Sequence, residues 1–249
     1  MSALSFRGVR KRFGALEVLR GLDLDIAAGE RHALIGPNGA GKTTLFDIAT
    51  GRISTSSGEV ALNGRRLDGL APYQRARLGM ARSFQITSLF RDLSVFENLR
   101  CAVTAARGER YRLWIGSAAS QTTHERADEV LHLIGLEARR SAPVGTLGYA
   151  EQRALELGVT IAGGASVLLL DEPTAGMSRP EARAAVELIR RVSEGRSLLI
   201  IEHDMDVVFG LADRVSVLAG GELIASGAPE AIRADAAVRA AYLGTVVGQ

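Results

Sequence analysis

The sequence predicts an α/β fold: a mostly parallel central sheet, an antiparallel β-subdomain at the N-terminus, and an inserted helical subdomain. Three observations predict it. Apolar runs of strand length alternate with segments of helical period, as in parallel sheets covered by helices. Alternating and β-branched runs crowd the start of the chain. A long stretch of helical period without strand signals interrupts the middle. We expect one domain over residues 1–249, with the helical insertion at about residues 87–160.

The composition is typical of a globular protein. The chain has 249 residues, 47% of them hydrophobic, which is enough to bury a large core. Its longest apolar runs, 165–170 and 197–201, are much shorter than the ~20 residues of a membrane-spanning helix. Residues 1–8 lack the pattern of a secretory signal. We therefore expect a protein that is soluble when isolated and stays in the cytoplasm.

Charge and cysteine content exclude several function classes. The formal net charge is +2 and no dense cationic block is present, so nucleic acid is not an expected partner. Cys101 is the only cysteine, which excludes an internal disulfide and a thiol-rich metal site. Lys11 and Lys42 are the only lysines among 30 basic residues, which makes each of them a position of interest.

The N-terminal region predicts a small antiparallel sheet. The patterns over residues 4–13 and 18–26 predict two strands separated by a turn. Residues 59–62 read as a third strand, followed by Asn63 and Gly64, a pair typical of a hairpin turn.

A glycine-rich loop lies within this region, between an apolar run over 31–35 and a helical pattern over 42–50. The loop fits the P-loop pattern of glycine, four residues, glycine, lysine and a hydroxyl residue. Its residues are Gly36, Pro37, Asn38, Gly39, Ala40, Gly41, Lys42 and Thr43, followed by Thr44. Backbone N–H groups of such a loop and the positive end of the helix bind phosphate oxygens. We predict that Lys42 neutralises the β and γ phosphates of ATP and that Thr43 offers its hydroxyl to Mg²⁺.

The second half of the chain returns to strand signals. Residues 167–170 and 197–201 read as buried strands, and 180–192 as the helix between them. Residues 215–226 predict a hairpin, and helices around 229–243 close the chain.

Acidic residues follow both buried strands. The first strand ends at Asp171 and Glu172, and with a P-loop upstream we predict that Asp171 is the acid on the Mg²⁺ side. Glu172 is then the base that polarises the attacking water. The second strand ends at Glu202, His203 and Asp204, where His203 is placed to sense the γ phosphate because ligands collect at the carboxyl ends of parallel strands.

Together these residues resemble the ATP-binding cassette proteins over nearly the whole chain, in the expected order. The resemblance implies a P-loop NTPase fold of the RecA-like type. It also implies that Phe13 stacks on adenine and that His203 is the switch histidine. Gln85 looks like the glutamine that touches Mg²⁺ and links to the membrane subunits.

Within the family, segments at 85–87, 93–99, 174–177 and 201–205 look like those of ATPases for high-affinity branched-chain amino acid uptake. The resemblance implies a second ATPase subunit, two membrane-spanning permease subunits and an external solute-binding protein, with the chain peripheral at the cytoplasmic face of the membrane. Branched-chain or other amino acids, urea, short amides and aromatic acids all remain open as solutes. Two alternatives are a soluble cassette acting on ribosomes or DNA, and a P-loop kinase for a small molecule.

One segment departs from the family pattern. The family signature of leucine, serine, two small or aromatic residues and glutamine aligns with Leu147, Gly148, Tyr149, Ala150 and Glu151. Gly148 has no hydroxyl for the γ phosphate bound by the opposite subunit, and Glu151 adds a negative charge. Ala150 still has a backbone N–H to donate. The asymmetry favours a heterodimer, and a homodimer remains open.

Overall fold

The computed structural model describes residues 1–83, 89–107, 117–236 and 238. Ten strands and eight α-helices fall in these ranges. The strands are β1 (Ser2–Phe13), β2 (Leu16–Ala27), β3 (Arg31–Ile35), β4 (Ser57–Leu62), β5 (Arg65–Arg66), β6 (Met80–Arg82), β7 (Val167–Asp171), β8 (Ser197–Ile201), β9 (Arg214–Ala219) and β10 (Glu222–Gly227). The helices are α1 (Lys42–Thr50), α2 (Pro72–Arg77), α3 (Val95–Ala106), α4 (Ser117–Ile134), α5 (Tyr149–Ala162), α6 (Arg179–Ser193), α7 (Met205–Leu211) and α8 (Pro229–Ala234).

The central sheet is mostly parallel, as predicted. Its six strands have the order β10-β9-β3-β8-β7-β6, and only β10 runs antiparallel to its neighbour. Nearly every residue of β3, β7 and β8 is buried, which explains their continuous apolar runs. In the register, Asp171 pairs with Ile201, and Ile201 pairs with Leu34. The carboxyl ends of these three strands therefore meet at one edge of the sheet.

The N-terminal sheet is antiparallel, in the order β2-β1-β4-β5. Its β4–β5 hairpin turns at Asn63 and Gly64, whose φ angles are 49° and 78°. Two consecutive positive φ values are those of a type I′ turn, in which asparagine followed by glycine is favoured. The predicted turn is confirmed, although β4 begins at Ser57, two residues earlier than the pattern indicates.

Two hydrophobic cores cover the two faces of the central sheet. Alternate residues of a strand point to opposite faces, so Leu34 and Ile201 join the core shared with the N-terminal sheet and α1. Ala33 and Ile200 join the core shared with helices α3 to α8. Helices α3, α4 and α5 pack on one another, and α3 begins with a capping box between Ser94 and Glu97, an arrangement that supplies partners to free N–H groups.

Sequence patterns missed the edge strand β6, which pairs in parallel with β7. Its three residues are too few to show a period, so only the pairing partner defines the strand. This strand places Arg82 next to the end of β7. In the described part of the chain, no helix is long and apolar enough to cross a membrane.

Candidate functional site

The glycine-rich loop connects β3 to α1 at the edge where β3, β7 and β8 end. Gly36 has φ 156°, and a Cβ there would lie 2.0 Å from the carbonyl oxygen of Leu218. Gly41 has φ 106°, and a Cβ there would lie 2.8 Å from Leu19 Cδ2. Both positions therefore require glycine for steric reasons. The turn is closed by Ala40, whose N–H donates to the Pro37 carbonyl at 3.2 Å.

Lys42 points back into this loop. Its Nζ donates to the carbonyl oxygens of Gly36 at 2.6 Å and Pro37 at 3.0 Å, and the residue is only 7% exposed. Burial lowers the pKa of Lys42, while the carboxylates of Glu172 and Asp171 act against that shift. Around Lys42, Asn38, Gly39 and Thr43 are exposed, and Pro37 and Thr44 are half-buried. The buried ammonium thus lies inside a loop whose outer rim is open.

Asp171 is the buried last residue of β7. Its Oδ2 accepts a hydrogen bond from Arg82 at 2.9 Å. Its Oδ1 is buried without a hydrogen-bond partner in the described residues. Burial raises the pKa of Asp171, and the Arg82 guanidinium opposes this rise. A buried carboxylate oxygen without a partner is costly, so Oδ1 is a position that a ligand would satisfy.

Glu172 follows at once and adopts a left-handed conformation with φ 47°, which is uncommon for a residue other than glycine. Its backbone N–H donates to the Ile201 carbonyl at 2.9 Å, and this bond holds it against β8. Its Oε1 lies 2.8 Å from His203 Nε2. The two side chains are 34% and 43% exposed, so the pair is open to solvent.

Glu202 is a site residue that sequence reasoning named only as part of the strand end. The residue is 3% exposed and accepts hydrogen bonds from the backbone N–H and the hydroxyl of Thr174 at 2.9 and 2.7 Å. Burial raises its pKa, against these hydrogen bonds. Glu202 therefore ties the loop after Glu172 to the strand end that carries His203. The sequence feature that could have identified Glu202 as a site residue is its position directly after a buried strand.

The signature segment, residues 147–151, leads into α5. Gly148 is the N-cap residue, with φ −67° and ψ 163°, and its N–H donates to Glu151 Oε2 at 3.0 Å. The other oxygen of Glu151 accepts from Arg139 Nε at 2.8 Å. The negative charge of Glu151 is therefore paired within the chain. Ala150 lies exposed in the first helical turn, where backbone N–H groups lack helical partners.

Tyr149 connects this segment to the loop after Glu172. Its hydroxyl donates to the Ala175 carbonyl at 2.9 Å and accepts from Arg153 Nε at 3.2 Å. Tyr149 is 45% exposed, so the bond lies at the protein surface.

Two predicted residues stand outside this cluster. Phe13, at the end of β1, is 48% exposed, and Lys11 Nζ lies 4.9 Å from its ring centroid. The prediction for Gln85 lies outside the described residues. Among the described contacts, none joins Phe13 or Gly148 directly to Lys42, whereas Asp171, Glu172 and His203 collect around the same strand ends as the Lys42 loop.

A glycine loop between a parallel strand and a helix, with a buried lysine and acids at the neighbouring strand ends, defines a P-loop nucleotide-binding protein. The ABC transporter family matches residues 19–175. The branched-chain amino acid ATP-binding cassette transporter family matches residues 222–247.

Curated proteins give the same result. The chain is 36% identical, over 97% of both proteins, to the high-affinity branched-chain amino acid transport ATP-binding protein LivG of Escherichia coli K12. It is 33% identical, again over 97% of both, to BraF, the protein of the same description in Pseudomonas aeruginosa. The chain belongs to the ABC transporter family, as an ATPase closely related to the ATP-binding proteins of branched-chain amino acid transport.

Solved structures agree on the fold. The chain superposes on a nucleotide-free ATP-binding cassette from an ABC transporter with a TM-score of 0.82 and 25% identity, over 97% of this chain and 99% of that one. The ADP conformation of the cassette MJ1267 matches with a TM-score of 0.84, 24% identity and coverage of 98% and 99%. The predicted P-loop NTPase fold is confirmed.

Proposed function

We propose that this chain energises the import of a small polar solute, of the branched-chain amino acid class, by binding and hydrolysing ATP in a nucleotide-dependent dimer. The observation that carries the proposal is the convergence of the Lys42 loop, Asp171, Glu172 and His203 at the carboxyl ends of three adjacent parallel strands. The solute class is supported by the match of residues 222–247 and by the relatives named for that transport.

In this proposal the loop holds the phosphates of ATP. Backbone N–H groups between residues 38 and 43 face the phosphate oxygens, and Lys42 exchanges its two carbonyl partners for the β and γ phosphates. That exchange is favourable because an anion is a stronger partner for an ammonium than a neutral carbonyl. Phe13 supplies an exposed ring for the adenine.

The residues around the γ phosphate have different roles in hydrolysis. Glu172 is open to solvent and accepts a proton from the water that attacks the γ phosphate. His203, in contact with Glu172, fixes the direction of that carboxylate and senses the γ phosphate. Residues 148–151 bind the nucleotide of the opposite subunit, as Ala150 presents a first-turn backbone N–H group at the exposed start of α5.

Mg²⁺ fits the donors present. The ion prefers oxygen ligands, and the site offers the unpartnered Oδ1 of Asp171 and the exposed hydroxyl-bearing Thr43. Gln85 is proposed as a further donor. When bound, the ion would neutralise charge on the phosphate oxygens.

We propose one ATP-binding domain with a helical subdomain at about residues 87–160, formed around α3, α4 and α5. A second ATPase subunit, with a heterodimer favoured by Gly148, two membrane permeases and an external solute-binding protein complete the transporter. The chain then sits peripherally at the cytoplasmic face of the membrane.

Calorimetry with ATP tests the nucleotide site. Lys42→Ala should remove most ATP affinity, since no other buried cation of the described residues contacts the loop, whereas the exposed Arg52→Ala should bind as the parent does. Equal affinity in Lys42→Ala and the parent would overturn the P-loop assignment.

Reconstitution tests the transport role. The complex purified with its permease chains should take up labelled leucine in an ATP-dependent manner, with ribose as the control solute. Co-purification with ribosomes or DNA, instead of membrane chains, would support the alternative of a soluble cassette.

A further inference from the structure

Arg82 joins two carboxylates that belong to different parts of the nucleotide site. Its Nη1 lies 2.5 Å from Asp47 Oδ1 and its Nη2 lies 2.9 Å from Asp171 Oδ2. The side chains of Arg82 and Asp171 are 7% and 1% exposed. The guanidinium also lies 5.5 Å from the Phe46 ring centroid. A planar fork that is packed and doubly paired has little freedom to move.

The two carboxylates belong to the two halves of the proposed Mg²⁺ site. Asp171 ends β7, and Asp47 lies on α1, four residues after Thr43. Residues four apart lie on the same face of a helix. Arg82 therefore links the helix that carries Thr43 to the strand end that carries Asp171. These two residues are the two proposed Mg²⁺ donors.

The bridge also orients the Asp171 carboxylate. Arg82 pairs with one oxygen of the carboxylate, Oδ2, and the other, Oδ1, is left without a partner among the described residues. Turning both oxygens away from Arg82 would break a buried ion pair.

We propose that Arg82 is a positioning residue for the divalent cation: it turns Asp171 Oδ1 toward the metal and sets its distance from Thr43 through Asp47. This inference rests on the proposed nucleotide function. Arg82 itself contacts neither the metal nor the nucleotide. Loss of Arg82 therefore weakens metal binding and leaves the phosphate loop unaltered.

The chain offers a matched control in Arg52. Its Nη1 lies 3.8 Å from the same Asp47 oxygen, but its side chain is 55% exposed and has no described contact with Asp171. A general effect of charge near Asp47 would therefore appear in Arg52→Met as well as in Arg82→Met.

The experiment measures Mn²⁺, as a probe for Mg²⁺, by electron paramagnetic resonance with the purified chain saturated with ADP. Arg82→Met should weaken Mn²⁺ binding by about 10- to 100-fold, the usual cost of losing a group that orients a metal ligand. Arg82→Lys, with one nitrogen for two carboxylates, and Asp47→Asn, which releases α1, should each give a smaller loss. Arg52→Met should stay within about twofold, because exposed ion pairs contribute little.

Affinity for a fluorescent ADP in EDTA supplies the second readout, and it should stay within about threefold of the parent in every variant, as the phosphate loop is unaltered. Parental Mn²⁺ affinity in Arg82→Met overturns the proposal. If that variant does not fold, parental affinity in both Arg82→Lys and Asp47→Asn overturns it. An equal loss of metal-free ADP affinity also overturns it, since the bridge would then support the whole site. If the parent protein binds no ADP, the proposed nucleotide function is overturned instead of the role of Arg82.

Discussion

Glu172 and His203 are in direct contact, with Oε1 and Nε2 2.8 Å apart. The two residues follow different strands, β7 and β8, which pair in parallel register. Their contact therefore depends on that pairing and on the left-handed backbone of Glu172, whose φ is 47°. A proposed base and a proposed phosphate sensor consequently share one hydrogen bond, and a change at either is expected to reach the other.

Glu172→Gln should retain ATP binding and slow hydrolysis by about 100-fold or more, since a general base commonly contributes 10² to 10⁴. The amide keeps the size of the side chain but does not accept a proton from water at neutral pH. Phosphate release and ATP affinity of the assembled complex are the measurements. The exposed Glu187→Gln on α6 is the control, and hydrolysis at the parental rate in Glu172→Gln would show that another group activates the water.

Gly148→Ser should strengthen ATP-dependent dimerisation by up to about 1.5 to 3 kcal/mol, the worth of one hydrogen bond to a charged group. The backbone accepts the change, since a Cβ at Gly148 would meet only Glu151 Oε2, at 3.8 Å, and φ is −67°. Dimerisation is measured by light scattering with ATP, in a background that carries Glu172→Gln.

Gly148→Ala is the control for Gly148→Ser, because it adds the Cβ without the hydroxyl. A serine N-cap also stabilises a helix, by about 1 kcal/mol relative to alanine and a few tenths relative to glycine, so thermal unfolding of the monomer separates that effect from dimerisation. In a heterodimer, ATP turnover should rise only at the nucleotide site of the partner subunit. In a homodimer it should rise at both equivalent sites. An equal gain with alanine would show that the hydroxyl is not responsible.

Tyr149→Phe removes the hydrogen bond to the Ala175 carbonyl but keeps the ring. The turnover number should fall by about threefold to tenfold, the worth of one neutral hydrogen bond, with little change in the KM for ATP. The reason is that the Tyr149 hydroxyl bonds the loop following Glu172, whereas the proposed contact of residues 148–151 with nucleotide is made by the backbone, which Tyr149→Phe keeps. Tyr73→Phe, an exposed tyrosine on α2, is the control. A rise in KM at constant turnover would contradict this role.

Glu202 gives a prediction on pH. Burial raises the pKa of the Glu202 carboxyl above its ordinary value, so the folded state holds this proton more tightly than the unfolded state does. Its contribution to stability is therefore fully present below the unfolded pKa and is lost as pH rises through the folded pKa. Urea unfolding of the parent and Glu202→Gln across this window is the measurement. As the pH rises through this window, the free energy of unfolding of the parent should decline relative to that of Glu202→Gln. If the difference between the two free energies stays constant with pH, the raised pKa is contradicted.

Much of the fold is readable in the sequence, because its signals are local. The glycine spacing from Gly36 to Lys42, the apolar strands before Asp171 and Glu202, and the Asn63-Gly64 turn each depend on a few neighbouring residues. These patterns predicted β3, α1, β7, β8 and the hairpin near their observed bounds. They also indicated which strand ends carry acids.

Tertiary structure alone decided which of these residues meet. Strand β6 has three residues and no period, so the position of Arg82 between Asp47 and Asp171 depends on its pairing with β7. Tertiary packing likewise determines the hydrogen bond from Arg139 to Glu151 and the one from Tyr149 to the Ala175 carbonyl. Such contacts join residues 12 to 89 positions apart. Residue type and spacing determine local conformation and the buried face of each element, whereas the partner of each polar side chain depends on strand order, register and packing.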